Sequence, residues 1–257
     1  MDRKSPGELQ EHMLGTYYGL RVGLAAIGVA FPLVLLFTGG FLHHVWGVPS
    51  ISAYYLQPSR FPFFTTRDFF VGGLFAVGAC LYLYKGFSTR ENVALNLAGV
   101  FAALVALLPT GFSALHGPAA VLFFLCIAYV SLRCSRDTLH LLPPAKQARY
   151  ARLYLWTGVA MVAFPLTALL LSYTSEDLGR TRVFWVEAFA VWAFAAYWIT
   201  KTFEMRETRA EKRALDAELR REVVPATPPG EADTRLKLSP GAGEVERIVP
   251  ADWPGTP

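Results

Sequence analysis

The sequence predicts an all-α membrane protein: a six-transmembrane-helix bundle with both termini cytoplasmic, a charged C-terminal helical extension and a disordered tail. Three observations predict it. Hydrophobic residues make up 53% of the chain and charged ones only 17%, against roughly 25% charged in soluble domains. The charges are also segregated, crowding the short connections and the C-terminal part while long stretches hold none. Finally, six apolar runs each approach or exceed the roughly 20 residues that a helix needs to cross a hydrocarbon core of about 30 Å.

Residues 1–17 form a polar N-terminal segment, and the run at 18–42 follows it. That run is too long for the apolar region of a cleavable signal, so it is expected to stay as the first anchor. It contains Pro32, which a bilayer helix tolerates as a kink when neighbouring helices satisfy the freed carbonyl. Next comes a proline-broken aromatic loop, "VPSISAYYLQPSRFPFFTTRDFFVG" at 48–72, which runs into the second span at 68–87. Gly72, Ala76 and Cys80 give that span a face of small residues suited to close helix packing.

The third span, 92–112, opens with Asn92 and carries Asn96, two amides expected to tie helices together rather than bind an ion. The fourth, 115–133, begins at His116-Gly117-Pro118, a helix start with proline in its first turn. The fifth, 154–173, contains Pro165, and the sixth, 183–203, contains Glu187. None of these runs shows the alternation of a strand.

Beyond the sixth span, 204–224 reads as a solvated, densely charged continuation of the same helix, with Asp216 and Arg220 four apart on its surface. A partner- or headgroup-binding helix is the alternative there. The segment 225–257 is rich in Pro, Gly and charge and cannot bury a core, so disorder is expected. Trp253 is its lone aromatic residue. Cys80, Cys126 and Cys134 lie in or beside apolar runs with no paired spacing, and they read as small hydrophobes.

The basic residues set the orientation. Arg3, Lys4 and Arg21 flank the start, Lys85 and Arg90 fill the second connection, and Arg133, Arg136, Lys146, Arg149 and Arg152 fill the fourth. Lys201, Arg206, Arg209, Lys212 and Arg213 follow the last span. The opposite side has Arg60 and Arg67 in the first loop, none in the third, and Arg180 with Arg182 in the fifth. Positive charge resists translocation, so the rich side is expected to be cytoplasmic. This distribution also accounts for the net charge of +4 without a nucleic-acid partner.

Polar residues inside spans are costly and therefore mark candidate sites. His43 and His44 end span one, Asp68 opens span two, His116 opens span four and Glu187 lies about one turn inside span six. These fall at one depth, below a loop carrying Ser50 and Ser52. Such a set would suit zinc with an activated water, giving Ser52, Asp68, His116 and Glu187 as alternative catalytic residues. His43, His44, Asp68, His116 and Glu187 are the alternative metal ligands. The structural reading makes Asp68 a helix N-cap or a local ion pair with Arg67, lets at most one of the adjacent histidines face the bundle, and pairs Glu187 with His116, Arg60 or Arg67 as a clamp on the loop. Neither a His-x-x-x-His nor a Glu-x-x-His spacing is present, so no cofactor is expected.

The stretches "PSISAYY", "RDFFVGGLFAVGACLYLYKGF", "ENVALNLAGVFAALVALLPTGF" and "LHGPAAVLFF" resemble a group of uncharacterised bacterial multi-span proteins. More loosely, the chain is similar to the DRAM/Frag/Sfk-like six-span family, which places a Pro-x-Ile-Ser motif in its first non-cytoplasmic loop. The matching residues are Pro49, Ile51 and Ser52, and the likeness covers about 40–124. It implies architecture and a bacterial inner-membrane location, not a reaction. The chain also resembles, in fewer residues, the ceramidase-like membrane hydrolases. They hold zinc in a seven-span bundle with histidines on the last span, and here only Ser52, Asp68 and His116 compare.

The leading expectation is thus a non-enzymatic lipid- or partner-binding membrane protein. Its first non-cytoplasmic loop forms an aromatic cap of Ser50, Ser52, Tyr54, Tyr55, Arg60 and Arg67, with Phe61, Phe63 and Phe64. Membrane lipids are its expected partners, with a protein partner at the C-terminal helix or tail. The alternatives are a metal-dependent lipid hydrolase and a small-molecule transporter. No inverted repeat or pair of broken helices supports the transporter.

Overall fold

Each apolar run must satisfy its backbone internally in a bilayer, so each becomes a helix. The computed structural model describes residues 6–43, 48–57, 65–108, 113–174 and 180–223. Its helices are α1 (Pro6–Leu36), α2 (Thr66–Leu83), α3 (Thr89–Leu107), α4 (Ser113–Leu132), α5 (Pro144–Thr174), α6 (Arg180–Thr208) and α7 (Ala210–Val223). Among the described residues, six helices are long and apolar enough to cross a membrane. The chain is an integral, multi-span membrane protein. Two short 3-10 turns, Cys134–Arg136 and Leu139–Leu141, join α4 to α5.

Sequence-local signals place the helix starts. Thr65 and Asp68 form a reciprocal capping box at α2, with Thr65 Oγ1 accepting from Asp68 N at 3.2 Å and Asp68 Oδ2 from Thr65 N at 3.0 Å. Ser88 caps α3 by accepting from Glu91 N. Pro144 opens α5, where a missing N–H costs nothing. Two helices begin well before their apolar runs, α1 at Pro6 and α5 at Pro144, because polar turns extend them beyond the membrane-length segment.

The helices form a closed up-and-down ring: each packs on the next in the chain, and α6 closes against α1. Apolar side chains cover the outside all round, including Leu33, Phe75, Leu104, Leu122, Trp156 and Leu170. A soluble protein would not expose so continuous a surface. Inside, two apolar layers stack. One, built on Leu24, Leu81, Leu95, Ile127, Tyr154, Tyr197 and Trp198, lies toward the end where α1 starts and α6 finishes. The other, built on Leu35, Ile51, Tyr54, Phe70, Val105 and Phe184, lies toward the far end.

The small face expected on α2 packs only at Cys80, which is half-buried against the core. Gly72 and Ala76 are exposed, and a Cβ on Gly72 would meet nothing within 4 Å. The close approach is between Gly78 and Gly99. A Cβ on Gly78 would stand 2.9 Å from Gly99 O, and one on Gly99 would stand 2.7 Å from Gly78 O. Helices α2 and α3 therefore meet backbone to backbone at this crossing.

The C-terminal charged segment also differs from expectation. It is not one solvated extension of the sixth span. Helix α6 ends at Thr208, Arg209 turns the chain with φ 49°, and α7 starts at Ala210. Glu204, Met205, Thr208 and Ala210 are buried. Residues 1–213 form one compact unit and 214–257 a second, of which the part to Val223 continues α7. The tail expected at 225–257, with Trp253, lies outside the described residues.

Candidate functional site

The described part of the first loop, 48–57, folds into the ring as a plug. Ser50 Oγ accepts from Ala53 N at 3.1 Å and shares a hydrogen with Ser52 Oγ at 3.2 Å. That local bond shapes a short 3-10 turn, Ser52–Leu56. Val48, Ile51 and Tyr54 drive it inward. Tyr54 is 1% exposed and stands edge-on to Phe184, with centroids 6.0 Å apart. This corrects the expectation that Tyr54 meets headgroups. Tyr55 lies at the plug's outer edge, where the Arg67 guanidinium stacks 4.4 Å from its ring centroid and donates to its hydroxyl at 2.8 Å.

The end of the first span makes room for this plug. After Pro32 the helix widens into a π-helical stretch, Phe37–Leu42. Thr38 Oγ1 donates back to Val34 O at 2.8 Å, and His43 N donates to Thr38 O. The widening presents Gly39 to the Tyr54 ring, where a Cβ would stand 2.1 Å from Cε1. Only glycine fits.

From the opposite side, Glu187 on α6 takes hold of the plug. Its Oε2 accepts from Ile51 N at 2.6 Å. Glu187 is the clamp the sequence suggested, but its partner is a backbone N–H. The partners expected for it are otherwise engaged or undescribed: His116 Nδ1 bonds Leu108 O at 2.6 Å, Arg67 holds Tyr55, and Arg60 lies outside the described residues.

Beneath the plug, the ring of helices holds a partly open cavity of about 270 Å³. All six spanning helices line it, mostly with apolar groups such as Phe31, Leu74, Val105, Phe123, Pro165 and Val191. Its polar lining is Ser50, Ser52, His116 and Glu187. The size is almost twice the roughly 150 Å³ that stays dry and admits benzene in an engineered apolar cavity. It is close to the lower bound of about 300 Å³ for ligand pockets.

Among the described residues, the predicted metal set does not assemble. His116 and Glu187 share the cavity, whereas Asp68 is exposed in its capping box and does not line it. His43 is buried at the end of the π-helical stretch and does not line it either, and His44 lies outside the described residues. Among the described residues, no three His, Cys, Asp or Glu side chains are grouped to hold an ion. A Ser–His–carboxylate relay is not formed among them. The hydrogen on His116 Nδ1 goes to a carbonyl, which can only accept, and the Glu187 carboxylate is bonded to the plug. Of the other groups expected on the loop, Phe61, Phe63 and Phe64 lie outside the described residues.

Sequence reasoning missed a second polar centre, at the end of the ring where α1 starts. Arg21, read there as a flanking charge, is 2% exposed, forms a two-pronged ion pair with Glu211 and donates to Tyr84 Oη at 3.4 Å. Lys201, 1% exposed, pairs with the fully buried Glu204 at 3.1 Å and lies 3.4 Å from Thr138 Oγ1. Tyr154 Oη donates to the same Glu204 oxygen. Glu91 is buried too, accepting from Phe87 N at 2.9 Å. Asn92 Oδ1 accepts from Gly86 N, tightening the α2–α3 turn rather than joining spans. These charges knit α1, α6, α7 and two connections together where the sequence showed separate polar fringes.

No family model matches the chain, and no curated protein and no solved structure matches it. What stands is the architecture: a six-span all-α membrane bundle with a plugged central cavity.

Proposed function

We propose that the protein is a non-enzymatic binder of a single-chain amphiphile, whose hydrocarbon occupies the central cavity while its head meets Ser50, Ser52, His116 and Glu187. One observation carries this reading. A cavity of about 270 Å³, apolar except at its plugged end, sits at the centre of the ring. Its size suits one short chain and not a two-chain lipid. Burial of apolar surface supplies the affinity, at roughly 0.8 kcal/mol per methylene.

The metal-dependent hydrolase alternative finds no grouped set of ligands among the described residues. We further infer that the plug faces the non-cytoplasmic side of a bacterial inner membrane with both termini cytoplasmic. The basic residues of 85–90, 133–152 and 201–213 support that orientation.

Equilibrium binding of tritiated dodecanol to the protein in lipid nanodiscs, with empty nanodiscs subtracted, tests the reading. One saturable site per chain is expected. Ala120→Phe, which fills the cavity from α4, weakens it by about 10-fold or more, whereas Leu122→Phe on the outer face does not. Binding that ignores Ala120→Phe, or no saturable binding, refutes it.

A further inference from the structure

The cavity also carries information about the head of its ligand. We infer that the site selects an amphiphile with a cationic amine head and rejects anionic heads; this rests on the chain-binding reading above. The reasons are charge and the balance of donors against acceptors.

Among the described residues, no lysine or arginine lines the cavity. The arginine described nearest in sequence to the plug, Arg67, is held at its outer edge by Tyr55. The polar lining is instead rich in acceptors. Glu187 offers a carboxylate with one bond from the protein, at Oε2. His116 commits its Nδ1 hydrogen to Leu108 O, so a single hydrogen on the ring leaves Nε2 as a lone-pair acceptor. Ser50 already accepts from Ala53 N and shares a hydrogen with Ser52.

A phosphate, sulfate or carboxylate head entering this lining finds no lysine or arginine and few donors, and it loses its water without replacement. An ammonium head reverses each effect. It brings three donors to an acceptor-rich lining, and its positive charge favours the ionised form of the buried Glu187 carboxyl beside it. Two rings in the plug's layer, Phe31 and Phe70, add to the same preference, since they line the cavity and aromatic rings attract cations. An alcohol is accommodated as a neutral donor without the charge pairing.

Competition against tritiated dodecanol in nanodiscs of zwitterionic lipid, using dodecylamine, dodecanol and dodecyl sulfate, decides the matter. The amine is expected to compete at least about 10-fold better than the alcohol, the range of a charge-assisted hydrogen bond, and the sulfate not to compete. Glu187→Gln keeps an acceptor for Ile51 N while removing the charge, and there the amine-to-alcohol ratio should fall to about 1. Equal competition by amine and alcohol in the parent, a preference that survives Glu187→Gln, or competition by the sulfate overturns the inference and leaves chain binding intact. Failure of every chain to bind saturably overturns both.

Discussion

Gly39→Ala is the sharpest perturbation of the plug. The added Cβ would stand 2.1 Å from Tyr54 Cε1, 2.9 Å from Cδ1 and 3.1 Å from Cζ. Carbon atoms in contact sit about 3.5–4.0 Å apart, so the ring must retreat by at least about 1.4 Å. It has nowhere to go, being 1% exposed and stacked edge-on to Phe184. Overpacking of this kind costs about 1–3 kcal/mol, which shifts the balance between seated and released plug roughly 5- to 150-fold. The assay is the rate at which maleimide modifies Ser52→Cys after Cys80, Cys126 and Cys134 are changed to Ala. Gly39→Ala should raise that rate within the stated range. Gly72→Ala, whose Cβ meets nothing, should leave it unchanged. Equal rates in the parent and Gly39→Ala, with equal thermal stability, would refute the seating of Tyr54 against Gly39.

Three further outcomes follow from the packing and charges. Glu211→Ala leaves Arg21 buried without its counter-ion and should destabilise the protein by about 3–5 kcal/mol, whereas Lys146→Ala, which breaks the exposed pair with Glu207, should cost no more than about 1 kcal/mol in the same melting experiment. Gly99→Ala pushes against the Gly78 carbonyl, a backbone atom that cannot swing aside, and should lower stability by about 1–3 kcal/mol; a change as small as that of Gly72→Ala would remove the close crossing. For orientation, an impermeant maleimide added to intact cells should label Leu56→Cys on the plug and spare Leu9→Cys near the start of α1 until the cells are opened; the reverse pattern would invert the topology.

The membrane architecture was readable because crossing a bilayer is a demand on length and composition alone. Runs such as 68–87 and 183–203 stand out whatever they pack against. The inner arrangement was less readable, for physical reasons. Glu187 was recognisable as a costly intramembrane acid, but its partner is the N–H of Ile51, and a backbone group leaves no mark in a residue pattern. Arg21 and Glu211 lie 190 positions apart, and nothing local to either distinguishes a buried pair from two solvated flanking charges. Lys201 and Glu204 likewise read as the polar end of a span until Tyr154 and Thr138 are seen to enclose them. In α2 the choice of face failed because a lipid-facing and a packed surface are equally apolar, so Gly72 with Ala76 and the Gly78 side could not be ranked by hydropathy. Asp68 shows the reverse case: its place at the start of a span marked it as a cap, and in the structure it completes that cap from the third helical position, with Thr65 at the N-cap.

Locating a heavy atom inside the ring bears most directly on the amphiphile-filled cavity. A structure of the protein with 12-bromododecylamine, read at the bromine absorption edge, should place the bromine among Phe123, Ala168 and Val191 beneath the plug. Bromine found only in the lipid shell around the outer helix faces, with the centre of the ring empty of it, would contradict that account.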